Sequence, residues 1–318
     1  GVCYNWWQTM NGWPQSTTPH WLKHKLRHAV NCKCVHLLSK LTAGMPQGPW
    51  LGPLSFVTVI NDLQPACPVH KFVDDTTLTE TFRSLAIPSS MSHYTDQLVQ
   101  WSANNLMKIN YSKTKEMLLG RITSNPPPAL TIEGNTIERV DCFKLLGVII
   151  SSDLRWGPHV DNICSKVNSK LYTLKQLKRA GLSADDLLRF YITAVRPILE
   201  YGCVVWHHGL TQAQSDRLES LQKRALWIIF DNLVIDMPYQ FALSLSKLTT
   251  LSDRRTSLGK SFFNKICQPG ACLHNLLPPP RDPDLLARLR HPNVYPIPIN
   301  HVNHYCSFLS YALAHYQN

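Results

Sequence analysis

The stretch KFVDDTTL, Lys71 to Leu78, sets two carboxylates side by side, Asp74 and Asp75, after an apolar pair and before small or apolar residues. Asp is depleted in strands, and adjacent like charges repel. The pair therefore needs a reason. Working outward, VHKFVDDTTLTE reads as a hairpin: a strand, an Asp-Asp turn and a second strand.

Four readings of the pair are open at this point. A plain turn needs no function, because Asp is common in turns. A prenyl-diphosphate site would place a third Asp three positions after Asp75 on a helix, and Leu78 stands there instead. An aspartic-protease dyad would carry D-T-G or D-S-G, and Asp75 is followed by Thr76 and Thr77. A nucleotidyl-transfer site would use carboxylates at a rigid turn to hold a hard, oxygen-seeking cation such as Mg²⁺. Two such ions about 3.5–4 Å apart clamp the attacking and leaving oxygens.

The chain has 318 residues, 44% hydrophobic and 17% charged, enough for a packed core and against global disorder. A formal net charge of +11 favours a polyanionic partner, nucleic acid or an anionic membrane surface, over an ordinary solvated basic surface only in combination with motifs. No run of apolar residues is long enough to span a bilayer, so no membrane span is expected. No charged leader followed by an apolar run is evident. The 10 cysteines include no C-x-x-C, and free thiols in a reducing compartment are expected. The first Met is Met10, and no Asp or Glu precedes Asp62 while Lys23, Lys25, Arg27, Lys33 and Lys40 do, so the chain reads as a fragment.

HWLKHKLRHAV has helical spacing and CKCVHLL reads as a strand. Three Gly and three Pro between Gly44 and Pro53 make a shaped loop, and the apolar run Leu54 to Ile60 predicts a buried helix. DQLVQWSANNLMKIN predicts an amphipathic helix with Leu98, Trp101 and Leu106 inward. A strand begins near Lys115, a hairpin turns at Gly134-Asn135, and CFKLLGVIIS reads as one buried strand. From about Trp156 the pattern becomes helical. Val160, Ile163, Val167, Leu171 and Leu174 keep helical spacing, Ser183 and Asp186 form a capping-box pattern ahead of ADDLLRFYITAVRPILEYG, and Leu218, Leu221, Ala225 and Ile228 repeat the stripe. The Pro- and His-rich tail from Gln268 predicts a short helix and loops. His20, His24 and His28 with Cys32 and Cys34 admit a zinc reading, but without C-x-x-C they read as surface or core residues.

GMPQGPWLGPLSFVTVINDL, KFVDDTTL, LVQWSANNLMKINYSKTKEML and FKLLGVIISSDLRW follow one another in this order. That series resembles the reverse transcriptases of non-long-terminal-repeat retrotransposons, in particular the jockey-like LINE group. The resemblance runs over essentially the whole chain, through VRPILEYGCVVWHHG and LESLQKRALWIIF to CSFLSYALAHYQN.

The resemblance implies an α+β fold, with a partial polymerase palm over 1–150, a helical thumb over 151–265 and a C-terminal tail over 266–318. It implies RNA-directed DNA polymerase activity, in which a primer 3′-hydroxyl attacks the α-phosphate of a deoxynucleotide. RNA template, DNA primer or duplex and dNTP would be the partners. Asp74 and Asp75, led by Phe72, match the box that binds catalytic Mg²⁺ in a two-metal site. Gly44, Pro46, Gln47 and Gly48 match the loop along the incoming nucleotide and templating base. Lys113 matches a lysine near the departing pyrophosphate. Leu145, Leu146 and Gly147 match a hairpin gripping the primer end, and Lys166, Lys170, Lys175, Lys178 and Arg179 are the thumb cations for the phosphate backbone.

The pattern also departs from the family. The other main metal-ligating Asp is expected before Gly1. Pro49 and Trp50 replace a small polar and an aliphatic residue, and Val73 stands where Ala is usual. These departures leave a second reading beside the enzyme: a catalytically dead relic that only binds nucleic acid.

Overall fold

The computed structural model describes residues 2–3, 51–82, 88–105, 107–230, 238–286, 288, 293–297 and 307–317. The helix and strand expected over residues 20–38, the His/Cys group, the 44–48 loop and Leu106 lie outside the described residues. The chain divides into two compact units, residues 1–143 and 144–318, and mixes helices with small sheets as an α+β chain does. Each unit has its own core.

In the first unit the helix α1, Leu51–Ile60, starts two residues before Pro53, which sits in the first turn, where a missing N–H costs nothing. It is only half-buried: Phe56 and Ile60 are buried, but Leu54 and Val57 are exposed, which corrects the expectation of a buried helix. Strands β1 (Val2–Cys3), β2 (Val69–Phe72) and β3 (Asp75–Leu78) form an antiparallel sheet in the order β1-β3-β2. Helix α2, Met91–Asn104, buries Met91, Thr95, Leu98 and Ser102 at helical spacing. Its Trp101 donates from Nε1 to Asp62 Oδ1 at 2.9 Å.

Short strands follow: β4 (Lys115–Glu116), β5 (Thr131–Ile132), β6 (Asn135–Thr136) and β7 (Glu138–Arg139). The β5–β6 turn is Glu133-Gly134, one residue earlier than expected, and both residues have positive φ. That sign pattern belongs to a type I′ hairpin turn. Strands β4 and β7 pair in parallel with charges matched across the ladder. Lys115 faces Glu138, and buried Glu116 accepts from Arg139 Nε at 2.8 Å. Arg139 also donates to the Pro127 and Pro128 carbonyls, so the Pro-rich spacer is pinned by the counter-ion of a buried carboxylate.

The run CFKLLGVIIS is two strands, not one: β8 (Cys142–Leu145) and β9 (Val148–Ser151), joined by Leu146-Gly147. Both turn residues have positive φ, which a continuous strand cannot accommodate.

The second unit is helical. Helix α3, Gly157–Arg179, buries Val160, Ile163, Val167, Leu171 and Leu174, each at 2% exposure or less. The predicted stripe is thus the core-facing side. Ser183 caps helix α4 (Ala184–Phe190), its Oγ accepting from Asp186 N at 3.2 Å. The helix expected to run unbroken instead passes through a π turn at Tyr191–Val195 before α5 (Arg196–Glu200). Leu187, Tyr191, Val195 and Leu199 are all buried at spacings of four. In an α-helix that spacing drifts by about 40° per step, and the wider π turn takes up the drift.

Helix α6 (Cys203–Trp206) leads to α7, Gln212–Phe230, whose buried set is Leu218, Leu221, Gln222, Ala225, Leu226 and Ile229. Ile228, expected inward, is only partly buried. Asp161 pairs with Arg217 at 2.8 Å, Asn168 accepts from Arg224 at 3.3 Å, and Lys178 Nζ donates to the Ile228 carbonyl at 2.6 Å. These partners advance together along both helices, so α3 and α7 lie parallel. Helices α8 (Tyr239–Ser246) and α9 (Leu251–Ile266) close the core. Short α10 (Pro283–Leu286) and α11 (Phe308–His315) follow, and α11 packs through Ala312, Leu313 and Tyr316 onto Phe263 of α9.

Candidate active site and nucleic-acid interface

Strand register places the acidic pair. Phe72 pairs with Asp75, so the loop between β2 and β3 is Val73-Asp74, and Asp75 already belongs to β3. The two carboxylates therefore stand at the tip of one hairpin, the second anchored in the central strand of its sheet by buried Thr76 and Leu78. Val73 takes φ +54° while Asp74 does not turn positive, a backbone sign for which Gly is usual. A β-branched residue in that region is strained. Phe72 and Val73 are both exposed.

Lys71 fixes the base of this hairpin. Its Nζ donates to the carbonyls of Ile60 (2.9 Å), Asn61 (3.3 Å) and Leu63 (2.8 Å), capping the end of α1. Burial lowers its pKa, with Asp62 opposing the shift. The lysine next to the acidic tip is thus committed to helix carbonyls, and among the described residues no cation pairs with Asp74 or Asp75. Burial, and then the neighbouring Asp74 charge, raise the Asp75 carboxyl above its ordinary value.

That is an electrostatic site short of positive charge. Two adjacent carboxylates suit a Mg²⁺-like ion, which takes one or two carboxylates and completes its octahedron with substrate phosphate and water. No group of three or more His, Cys, Asp or Glu with metal-binding spacing occurs among the described residues. The pair is therefore a partial ligand set that fits a cation held jointly with substrate.

Lys113 lies in the turn before β4. Asn110 organises that turn: its Oδ1 accepts from Ser112 Oγ at 2.8 Å and from Lys113 N at 3.2 Å, and its carbonyl accepts from Thr114 Oγ1 at 2.8 Å. The turn holds the lysine backbone while the residue is exposed. Gly44, Pro46, Gln47 and Gly48 lie outside the described residues.

In the second unit, Leu146 and Gly147 form the tip of the β8–β9 hairpin, and neighbouring groups clasp it. Tyr201 Oη donates to the Leu146 carbonyl at 2.8 Å, and a Cβ on Gly147 would meet the Tyr201 ring at 2.9 Å. Ile149 N donates to His159 Nδ1 at 3.2 Å. His159 is buried against Trp206, and burial, with Lys166 adding to it, lowers its pKa to about 4. It stays neutral, so Nδ1 remains the acceptor.

The five cations of α3 do not make one face. By helical periodicity Lys166 and Lys170 lie about 40° apart on one side of the buried stripe, and Lys175 and Arg179 lie about 180° away on the other. Lys178 falls in line with the stripe and caps α7 through Ile228.

Over 203 residues, 59% of its length, the chain is 27% identical to the RNA-directed DNA polymerase from mobile element jockey of Drosophila melanogaster. It is 27% identical, over the same span, to the probable RNA-directed DNA polymerase from transposon X-element of that organism. Similarity extends, at 25% over 179 residues, to the retrovirus-related Pol polyprotein from type-1 retrotransposable element R1 of Bradysia coprophila. The chain is thus similar in sequence to RNA-directed DNA polymerases of several mobile elements. The matches cover 18–22% of the length of these relatives, and 54–59% of this chain rather than the whole of it. No family model matches the chain, and no solved structure matches it. No helix among the described residues is long and apolar enough to cross a membrane.

The sequence patterns that mark this polymerase family did not expose Tyr201, His159 or the capping role of Lys178. Tyr201-Gly202 had a local signal, an aromatic followed by glycine at a helix end. The partners of Tyr201, His159 and Lys178 lie 55, 10 and 50 residues away, beyond any local pattern.

Proposed function

We propose that this chain is part of a retrotransposon RNA-directed DNA polymerase, carrying the metal-binding hairpin of the palm, over roughly 1–150, and the thumb that follows. The observation that carries the reading is the acidic tip: Asp74 in the loop and Asp75 opening the central strand, with no cation among the described residues paired to either. A bound divalent ion would polarise the α-phosphate and stabilise the charge of the leaving pyrophosphate. Asp74 and Asp75 would hold that ion, Gly44, Pro46, Gln47, Gly48 and Phe72 are the residues assigned to the nascent base pair, and Lys113 would supply a proton or positive charge to the leaving group. Leu146 and Gly147 present a rigid tip to the primer end. The exposed cations of α3 meet the phosphate backbone of the template-primer duplex.

A second reading, nucleic-acid binding without catalysis, is kept because the acidic tip offers two carboxylates and no larger ligand group among the described residues. Primer extension on an RNA template with dNTP and Mg²⁺ separates the two. Under the polymerase reading the chain extends the primer and Asp74→Asn abolishes extension. If neither extends, yet both bind template-primer with a steep salt dependence, the binding reading replaces it.

A further inference from the structure

The outer face of the parallel α3–α7 pair combines features that the proposed polymerase roles leave unused. Trp227 is 42% exposed and Tyr172 65% exposed, both on helices whose other large apolar side chains turn mainly inward. Lys223 Nζ lies 5.0 Å from the Trp227 ring centroid, one helical turn earlier on α7. This cation–π contact covers part of the indole while the residue stays 42% exposed. Arg224 reaches across to Asn168 at 3.3 Å and so ties the two helices beneath the face. Ser220, Arg224 and Trp227 on α7 and Asn168 and Tyr172 on α3 are all exposed, Trp227 and Tyr172 each one turn beyond the Arg224–Asn168 bond, which sets them on the same side of the parallel pair. Both carboxylates of this face already have partners: Asp161 pairs with Arg217 at 2.8 Å, and Asp216 accepts from Gln212 at 2.8 Å. The balance left for a ligand is cationic and aromatic.

We propose that this face binds an unpaired stretch of nucleic acid, with bases stacked on Trp227 and Tyr172 and phosphates met by Lys223 and Arg224. Duplex nucleic acid hides its base faces, so phosphate contacts alone would serve it. Exposed aromatic rings gain from unpaired bases, each of which has a π-face. A membrane surface or an acidic peptide would use the cations and leave the rings without a matching partner. The inference rests on reading the chain as a nucleic-acid-handling protein, but not on its catalysing extension.

The test uses the full chain and three fluorescent probes: a 12-nucleotide single-stranded RNA, the blunt RNA–DNA duplex of the same sequence, and heparin as a polyanion without bases. Binding is followed by anisotropy at two salt concentrations. Trp227→Ala weakens single-strand binding about tenfold, from the loss of one stacking platform, and Trp227→Phe restores most of it. Duplex and heparin binding change less than twofold. Both variants alter an exposed side chain, and thermal melting confirms that they fold. Equal losses on all three probes, or no loss on the single strand, overturn the proposal. Failure of primer extension with single-strand discrimination intact removes the polymerase reading and leaves this one standing.

Discussion

Replacing Val73 by Asn tests the acidic hairpin directly. Val73 holds φ +54° at the first loop position between β2 and β3. An L-residue in the left-handed region pays about 1–2 kcal/mol, and β-branching places Val at the upper end. Asn enters that region more readily, because its short side chain can hydrogen-bond locally. The side chain of Val73 is 44% exposed, so little packing is lost. The expected gain is about 1 kcal/mol, which in a unit of this size raises the melting midpoint by roughly 3–4 °C. Val73→Gly relieves the same strain but adds about 0.5–1 kcal/mol of chain entropy to the unfolded state, so its gain is smaller. Val69→Asn, in the extended strand β2, serves as the control and destabilises. Hydrogen exchange of amides 69–78 reads the effect locally, as about fivefold slower exchange per 1 kcal/mol when the hairpin opens on its own. An unchanged or lowered midpoint for Val73→Asn, with exchange no slower, would refute the strain argument.

Asp75→Asn removes a carboxylate whose folded-state pKa is raised by burial and by Asp74. The folded chain then binds its proton more tightly than the unfolded chain, so wild-type stability falls as pH climbs from the ordinary carboxylate range through the folded value. Urea titrations across that window should show the slope in wild type and a shallower one in Asp75→Asn. Gly147→Ala combines φ +88° with a Cβ 2.9 Å from the Tyr201 ring and should cost about 2 kcal/mol. Adding Tyr201→Ala should recover the steric part alone, so a double-mutant cycle showing no coupling would contradict the clasp. Leu171→Ala, at 1% exposure in α3, should cost about 2–5 kcal/mol by equilibrium unfolding.

Where the chemistry of an element is periodic, the chain could be read directly. The α3 stripe is spaced as a helix demands, and every one of its five expected residues is buried. Ser183 with Asp186 marked a real helix start, and the KFVDDTTL hairpin formed where its flanks pointed. The misreadings share a cause. CFKLLGVIIS is mostly apolar and read as one strand, although the family resemblance pointed to a hairpin at 145–147, because the turn depends on positive φ in a leucine as well as in Gly147. The ADDLLRFYITAVRPILE run looked continuous because a π turn preserves an inward face while changing the hydrogen-bond pattern. Lys178 looked like a surface cation because its acceptor, the Ile228 carbonyl, is fixed by tertiary packing. Within the candidate site, the acidic pair was legible from its unusual charge. The helix-capping role of Lys71, which keeps it from neutralising that pair, required coordinates.

The parallel setting of α3 beside α7 has a consequence for synthesis. An antiparallel neighbour would follow α3 after a short turn, but here the partner surface at Leu218, Leu221 and Ala225 arrives about fifty residues later. At about 5–20 residues per second, the ribosome leaves the α3 stripe without the α7 part of its cover for roughly 3–10 s, with only β9, α4, the π turn and α5 available to pack on it. During that interval Val160, Val167, Leu171 and Leu174 form a ready target for chaperones or for neighbouring nascent chains. A ribosome pause placed before α7 has emerged from the ribosome would lengthen the exposure and lower the yield of folded protein, and the same pause placed well beyond Phe230, once α7 is free to pack, would not.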